Sequence, residues 1–180
     1  RSLHVASSLQ ELWLGDNPLA DAGVEVLMPC LRQLPGLREL WLSGVGMRDE
    51  GAEILAAALA ADTCLCAAAP KWPMLNNHPT RDKGASAPAQ AMPALPGLEL
   101  VSLRCNQVSN IGAAALAMAV GTAAALQLFF IQGNNLGSLG VCYIAAAVPY
   151  CRTLTELCLG GRNVGLHGAE AIAKMLPNAR

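Results

Sequence analysis

The chain carries little charge and no excess of either sign. Charged residues make up 14% of its 180 residues, and 12 Lys and Arg against 13 Asp and Glu give a formal net charge of −1. Without a basic surface to hold phosphates, the chain is not expected to bind nucleic acid. A hydrophobic fraction of 53% with so little charge also excludes a chain that is disordered throughout.

Cysteine pairs, metal-ligand clusters and a secretory signal are also lacking. The seven cysteines are an odd number, and only Cys64 and Cys66 stand as a close pair. A single C-x-C without a second pair or histidine partners is a poor zinc site, so we expect no metal and no other cofactor. Reduced thiols of a cytoplasmic protein are the better interpretation. No secretory signal is visible at the start of the chain.

Convergent catalytic groups are lacking too. None of His4, His78 and His167 shares a repeat position with a serine or cysteine that it could activate, and each is expected to be a solvated surface histidine. No GxGxxG or GxxxxGK[ST] phrase occurs. We therefore predict that the chain is not an enzyme.

Charge is absent between Arg104 and Arg152, and within that gap residues 111–131 are almost all apolar. By length this run could span a bilayer. However, four amide side chains crowd its end, and it follows a repeat that it shares with charged parts of the chain, so a membrane span is disfavoured. Its helix AAALAMAV is either a plain alanine-rich helix or a surface that contacts another domain.

An internal repeat dominates the sequence. Five similar phrases open at Leu9, Leu37, Leu98, Leu126 and Leu154, in steps of 28, 61, 28 and 28 residues. Counting the opening Leu as position 0, apolar residues recur at positions 3, 5 and 10, Asn often stands at position 8, and Gly stands at position 14. Positions 3 and 5 predict a short strand, and the spacing from position 15 predicts a helix. The Asn is expected to bond backbone groups in the turn between them.

The 61-residue step contains two periods and five extra residues. A further unit would open at Pro70, with Leu75, Asp82 and Gly84 at positions 5, 12 and 14. Pro88 and Pro93 are expected to break its helix, so we expect a distorted or partly disordered loop from Thr63 to Ala94. A degenerate repeat and an insertion over residues 63–97 are equally good descriptions.

The period, the LxxLxLxxNxL phrase and the glycine before the helix resemble the leucine-rich repeat family. The 28-residue length resembles its ribonuclease-inhibitor-type class, as in ribonuclease inhibitors and the repeat arrays of NOD-like receptors. The resemblance implies an α/β fold, a right-handed solenoid shaped as a horseshoe, with a parallel sheet on the concave face and helices on the convex face. Residues 1–180 are expected to form a single such domain, a fragment of a longer array, since neither end resembles a polar cap.

Side chains at positions 2, 4, 6 and 7 are expected to point away from the core and to form the partner-binding face. The candidate residues are Glu11, Trp13, Asp16, Glu39, Trp41, Trp72, Arg104, Phe130, Gln132, Glu156 and Cys158. They include all three tryptophans, and acids outnumber the single arginine. Exposed aromatics in a row are typical of binding hot spots, whereas Trp13 and Trp41 could instead stack as a structural ladder. Both interpretations stay open.

The resemblance implies a non-enzymatic module that binds a protein partner through the concave strand face. The acids around the aromatics favour a partner with a basic or amphipathic surface. The alternative is a regulator of a small GTPase, because the Ran GTPase-activating proteins share this repeat class. Its candidate residues are Asn76, Asn77, Arg104 and Arg162.

Overall fold

The computed structural model describes residues 8–31, 33–61, 74–161 and 163–178, in which short strands alternate with helices. The strands are β1 (Glu11–Trp13), β2 (Glu39–Trp41), β3 (Leu100–Ser102), β4 (Leu128–Phe130) and β5 (Glu156–Cys158). The helices are α1 (Ala20–Leu31), α2 (Asp49–Ala61), α3 (Asp82–Ala91), α4 (Asn110–Thr122), α5 (Ser138–Ala147) and α6 (Gly165–Met175). Turns of 3-10 helix follow three of them, at Met92–Ala94, Val148–Tyr150 and Leu176–Asn178. The result is a mixed α/β fold of repeated strand–helix units.

The strands are parallel and paired in register one repeat apart. Leu12 lies opposite Leu40 in β1 and β2, while Val101, Phe129 and Leu157 align across β3, β4 and β5. Each helix packs against the next one along the chain, from α1 through α6. Consecutive units therefore stack side by side, as the repeat predicts.

Residues 74–77 connect the two small sheets. The Met74 amide donates to the Leu40 carbonyl at 3.0 Å, and the Leu75 amide donates to the Ser102 carbonyl at 3.1 Å. Further along, the Asn77 amide donates to the Arg104 carbonyl at 2.9 Å. The segment thus takes the place of a strand between β2 and β3, and six units follow one another in the order of the chain.

The expected loop from Thr63 to Ala94 is wrong for residues 82–94. Residues 82–91 form α3, which packs between α2 and α4, with Pro88 inside the helix and Pro93 in the first turn of the following 3-10 helix. Pro88 removes one backbone donor, but the buried face of α3 supplies packing that outweighs this loss. The buried face consists of Gly84, Ala85, Ala87, Pro88 and Ala91. Residues 62–73, including Cys64, Cys66 and Trp72, lie outside the described residues.

The core forms where the strand periodicity predicts it. Positions 3 and 5 of the inner units are buried, as Leu40, Leu42, Val101, Leu103, Phe129 and Ile131. The equivalent leucines of the first and last units are half-buried. Each of these has a neighbouring unit on one side only within the described residues, so its burial is incomplete.

The uncharged run from 111 to 131 does not form one helix. Helix α4 ends at Thr122, and β4 begins at Leu128. Among the described helices, none is long and apolar enough to cross a membrane. The run has the same helix–turn–strand order as its neighbours.

The glycine at position 14 allows each helix to approach the unit before it. Asp21 Oδ1 accepts hydrogen bonds from the amides of Arg48, at 2.7 Å, and Gly51, at 2.9 Å. Asp49 Oδ1 accepts in the same way from the amides of Arg81, at 2.7 Å, and Gly84, at 3.0 Å. A carboxylate of one unit therefore binds the free amides at the start of the next helix, where the helix dipole also favours negative charge.

The same contact continues along the array. Asp82 Oδ1 accepts from the amides of Ser109, at 2.7 Å, and Gly112, at 3.0 Å. Asn110 Oδ1 accepts from the amides of Gly137, at 3.0 Å, and Gly140, at 2.8 Å. The acceptor at position 12 thus links four successive pairs of units. We call this series the position-12 ladder.

Substitution of Gly84 by alanine is expected to destabilise the fold. A Cβ there would lie 2.8 Å from Asp49 Cα, a backbone atom that cannot move aside without shifting a whole unit. We expect the free energy of unfolding to fall by about 1–3 kcal/mol. Urea unfolding followed by circular dichroism measures it.

Gly121→Ala is the matched control. A Cβ at Gly121 would meet its nearest neighbours at 3.7 Å, an ordinary contact, so alanine should stabilise α4 by about 0.5–1 kcal/mol. Equal stability of the Gly84→Ala variant and the parent chain would contradict the close-approach explanation.

Candidate partner-binding face

The strand face is the surface made by side chains at positions 2, 4, 6 and 7 of the six units. Position 4 forms a continuous row, because Trp13 pairs with Trp41, Trp41 bridges to Met74, and Phe130 lies between Ser102 and Cys158. Of the candidate residues, Trp72 lies outside the described residues. The remaining ten occupy this face along the array.

Two stacked tryptophans begin the row, and Trp13 is its exposed member. The rings of Trp13 and Trp41 stack with centroids 4.2 Å apart and planes inclined by 11°. The Trp13 indole N–H donates to Glu11 at 3.2 Å, and the Trp41 indole N–H donates to Glu39 at 3.1 Å. Trp13 remains 62% exposed, and Trp41 is half-buried. The stacking that the sequence left open is present, yet the pair still presents aromatic surface to solvent.

Phe130 differs from the expectation of an exposed aromatic. It is only 8% exposed, because the guanidinium of Arg104 lies over its ring at 4.1 Å from the centroid. Leu100 and Ser102, in the neighbouring unit, are buried as well. The centre of the strand face is therefore closed, and its accessible chemistry is the cationic Arg104 rather than an open aromatic ring.

A polar row at position 6 surrounds this cation. Asn76 Oδ1 accepts from the Ser102 hydroxyl, at 2.7 Å, and from the Arg104 amide, at 2.9 Å. Arg104 Nε and Gln132 Oε1 are buried atoms without a hydrogen-bond partner. A buried polar atom without a partner is costly, so a ligand or water that pairs with these two atoms would gain affinity.

Position 7 has a backbone role that sequence reasoning missed. Asp16, Asn77 and Cys105 have φ values of 57°, 60° and 54°, and Gly44 and Gly133 at the same position have values of 73° and 76°. This left-handed conformation favours Gly, Asn and Asp, which explains why these types recur there. The recurrence of Gly, Asn and Asp at position 7 could have revealed this turn from the sequence. Asp16 therefore has a structural reason for its identity besides any contact with a partner.

The end of the strand face at β5 is acidic and consists of Glu156 and Cys158. Cys158 is half-buried, and its thiol lies 3.9 Å from Glu156 Oε1. Glu156 itself is exposed. Acidic groups thus stand at both ends of the strand face, with Arg104 between them.

His78 is buried, contrary to the expectation of a solvated surface histidine. It is 3% exposed and occupies the Asn position of its unit, where its Nε2–H donates to the Leu42 carbonyl at 2.8 Å. Asn106 and Asn134 donate to the equivalent carbonyls of Leu75, at 2.7 Å, and Leu103, at 2.8 Å. The predicted role of the Asn is confirmed, and His78 performs the same donation in the third unit.

Burial lowers the pKa of His78 below its ordinary value of 6.5, and the bond to Leu42 and the charge of Asp21 oppose this only partly. Nδ1 has no hydrogen-bond partner, so a proton there would be buried unpaired. Below pH 6.5 the unfolded chain binds a proton that the folded chain does not bind. Acid therefore shifts the equilibrium towards the unfolded state.

We predict that the stability of the chain falls as the pH is lowered through 6.5. The loss should be about 1.4 kcal/mol for each unit by which burial lowers the pKa of His78. His78→Asn should abolish this component, because an amide makes the same donation without titrating. Urea unfolding between pH 7 and pH 5 measures it, with His167→Asn as an exposed control that should behave like the parent. A His78→Asn chain with the parent's pH dependence would contradict the assignment.

Clusters that suit a metal are absent from the described part of the chain. No group of three or more His, Cys, Asp or Glu side chains is placed there to hold a metal ion. The prediction that the chain is not an enzyme stays a prediction.

Comparison with known proteins gives a match to one family model over part of the chain. A family model described as Leucine Rich repeat matches residues 5–28 and 98–117. Together with the repeated strand–helix units, this match supports the leucine-rich repeat class predicted from the sequence. The ribonuclease-inhibitor-type subclass stays a prediction. No curated protein matches the chain.

Two solved structures share the fold. Leiomodin-1 actin-binding site 2 is 17% identical, with a TM-score of 0.67 over 87% of each chain. The C-terminal domain of tropomodulin from Caenorhabditis elegans is 11% identical, with a TM-score of 0.54 over 97% of this chain and 86% of that one. At these identities the similarity concerns the fold alone.

Proposed function

We propose that the chain is a non-enzymatic interaction module that binds a protein partner through its strand face. On this proposal the six units form a right-handed solenoid of the ribonuclease-inhibitor type, in which the strand face is the concave side of the horseshoe. We further propose that it acts in the cytoplasm, where its cysteines stay reduced. The observation that carries the proposal is the stacked pair of Trp13, which is 62% exposed, and Trp41, which is half-buried, on the strand face.

The tryptophan pair suits binding energetically. Tryptophan is enriched among interface residues whose removal costs most affinity, since its large rigid surface loses little entropy on contact. The stacking and the two indole–carboxylate bonds hold both rings in place before a partner arrives. A preorganised surface binds more tightly than a mobile one of the same area.

Charge on the strand face favours a partner with a basic or amphipathic surface. Glu11 and Glu39 flank the tryptophans, and a cation from the partner would meet both a carboxylate and an indole ring there. Arg104 adds a positive group at the centre of the face, over the ring of Phe130. A partner that carries basic groups towards one end and an acidic group near the middle matches this pattern.

Replacement of Trp13 and Trp41 by alanine should strongly reduce partner capture without unfolding the chain. Loss of two aromatic anchors is expected to weaken binding by about 2 kcal/mol or more, roughly thirtyfold in Kd. Pull-down from cytosol with quantitative mass spectrometry compares the double variant with the parent. Tyr150→Ala is the control, since Tyr150 is an exposed aromatic that follows α5 and lies outside the strand face. Identical capture by the parent and a folded double variant would contradict the proposal.

Actin is the first named partner to test. The similar structure of leiomodin-1 is an actin-binding site, and the match extends over 87% of both chains. We expect the chain to co-sediment with actin filaments or to shift monomeric actin on a native gel, and we expect the Trp13→Ala, Trp41→Ala variant to lose that binding. No binding of the parent chain to either form of actin would exclude this partner. The interaction-module proposal would then depend on the cytosolic capture alone.

The GTPase-regulator alternative gains no support from these comparisons. Of its four candidate residues, Asn76 uses its side-chain oxygen to hold Ser102 and Arg104, and Arg162 lies outside the described residues. The interaction module remains the better-supported function.

A further inference from the structure

Arg104 stands half-buried on the strand face without a counter-charge from its own chain. Among the described residues, no hydrogen bond or ion pair joins its guanidinium to another side chain, and its contact is with the ring of Phe130. Lys83, by contrast, is far more exposed and has a carboxylate oxygen of Glu53 at 2.9 Å. A guanidinium carries five N–H donors, and withdrawing it from water without an acceptor is unfavourable. The free donors of Arg104 therefore suit an acceptor that another molecule supplies.

The units around Arg104 offer no acid on the strand face. Positions 2, 4, 6 and 7 of the third, fourth and fifth units contain neither Asp nor Glu. Asn76 and Gln132, the neighbours of Arg104 at position 6, are uncharged amides. The acids of the face belong to the other units, as Glu11, Asp16, Glu39 and Glu156. An anion from a partner would therefore meet an attractive charge at the centre of the face and no repulsive one beside it.

The position of Arg104 is fixed before any ligand arrives. Its amide donates to Asn76 Oδ1 at 2.9 Å, and the next amide, that of Cys105, donates to the Gln132 carbonyl at 3.0 Å. Its guanidinium carbon lies 4.1 Å from the centroid of the Phe130 ring. The ring excludes water from one side of the cation, and a charge that is partly shielded from water attracts an opposite charge more strongly. Because the group is already held, it loses little freedom when it binds.

We propose that Arg104 binds the side-chain carboxylate of an Asp or Glu residue of the protein partner. The inference rests on the proposed function and names the chemistry that recognises the partner at the centre of the strand face. A carboxylate can accept two parallel N–H bonds from one guanidinium, which gives the contact a defined direction as well as affinity. Arg104 is thus a specificity-determining residue, whereas Trp13 and Trp41 supply the larger apolar contact.

Other anionic groups match this position less well. A phosphate group carries about two negative charges near neutral pH, and Arg104 is the one Lys or Arg at positions 2, 4, 6 and 7 of the six units. The carboxylate at the end of a partner chain is disfavoured by location. Arg104 lies two units beyond Trp41, about 10 Å along the sheet, and two further units follow it. A partner that covers the whole face presents a side chain at this point, not its end.

Selection from a random peptide library on the immobilised parent chain tests the proposal. The peptides have amidated C-termini and are long enough to reach from Trp41 to Arg104. We expect the selected peptides to be enriched in Asp or Glu at one position. In a selected peptide, replacing that acid by its amide should raise the Kd for the parent about tenfold, as measured by fluorescence anisotropy, since a charge-assisted pair of hydrogen bonds is lost.

Arg104→Gln supplies the second half of a double-mutant cycle. The same peptide replacement should leave the Kd for the Arg104→Gln chain almost unchanged, because the interaction is already absent. Arg104→Lys keeps the charge but not the fork of donors, so it should retain only part of the tenfold effect. Arg152→Gln is the matched control, since Arg152 is exposed outside the strand face, and it should keep the full effect. Circular dichroism establishes that each variant is folded.

Three results would overturn the proposal, and they separate it from the proposed function. Selected peptides without enrichment of Asp or Glu would do so, and the proposed function would stand if the Trp13→Ala, Trp41→Ala variant lost those peptides. A tenfold loss that persists in the folded Arg104→Gln chain would place the acid at another residue of the face. A parent chain that selects no peptide would overturn both proposals.

Discussion

Four of the six described helices, α2 to α5, begin on an acceptor that belongs to the unit before them. Asp21, Asp49, Asp82 and Asn110 place a side-chain oxygen on two amides of the next helix, and the glycine at position 14 leaves room for that contact. Because the contact joins backbone to backbone through one short side chain, it fixes the distance between units. The strand pairing and the burial of the leucines follow from that distance.

The regular spacing also decides which side chains meet on the strand face. Residues at one position of successive units lie one strand apart, close enough for rings and long side chains to touch. Trp13 therefore stacks on Trp41. Arg104 at position 6 reaches diagonally over Phe130 at position 4 of the next unit. The tryptophan stack leaves the ring of Trp13 exposed, whereas Arg104 covers the ring of Phe130. The proposed function depends on this difference, since it assigns partner binding to the exposed pair and a supporting cation to the centre.

Periodicity predicted the strands, the helices and the apolar positions that face the core, because each is set by the spacing of residues within one unit. It failed where the outcome depends on contacts between units. Residues 74–94 contain prolines that argue against a helix, yet packing between α2 and α4 holds α3 in place. His78 is buried because the Leu42 carbonyl of the preceding unit needs its donor. Phe130 is covered because Arg104, two residues beyond the register partner Ser102, lies over its ring.

Hydroxyl-radical footprinting of the captured complex tests the central claim most directly, since it reports the solvent exposure of individual side chains. Tryptophan, methionine and cysteine react readily, and they are present on both sides of the molecule. The account predicts that partner binding protects Trp13 and Trp41, while Met118 reacts as in the free chain. Protection of Met118 with unchanged reactivity of the two tryptophans would contradict binding through the strand face.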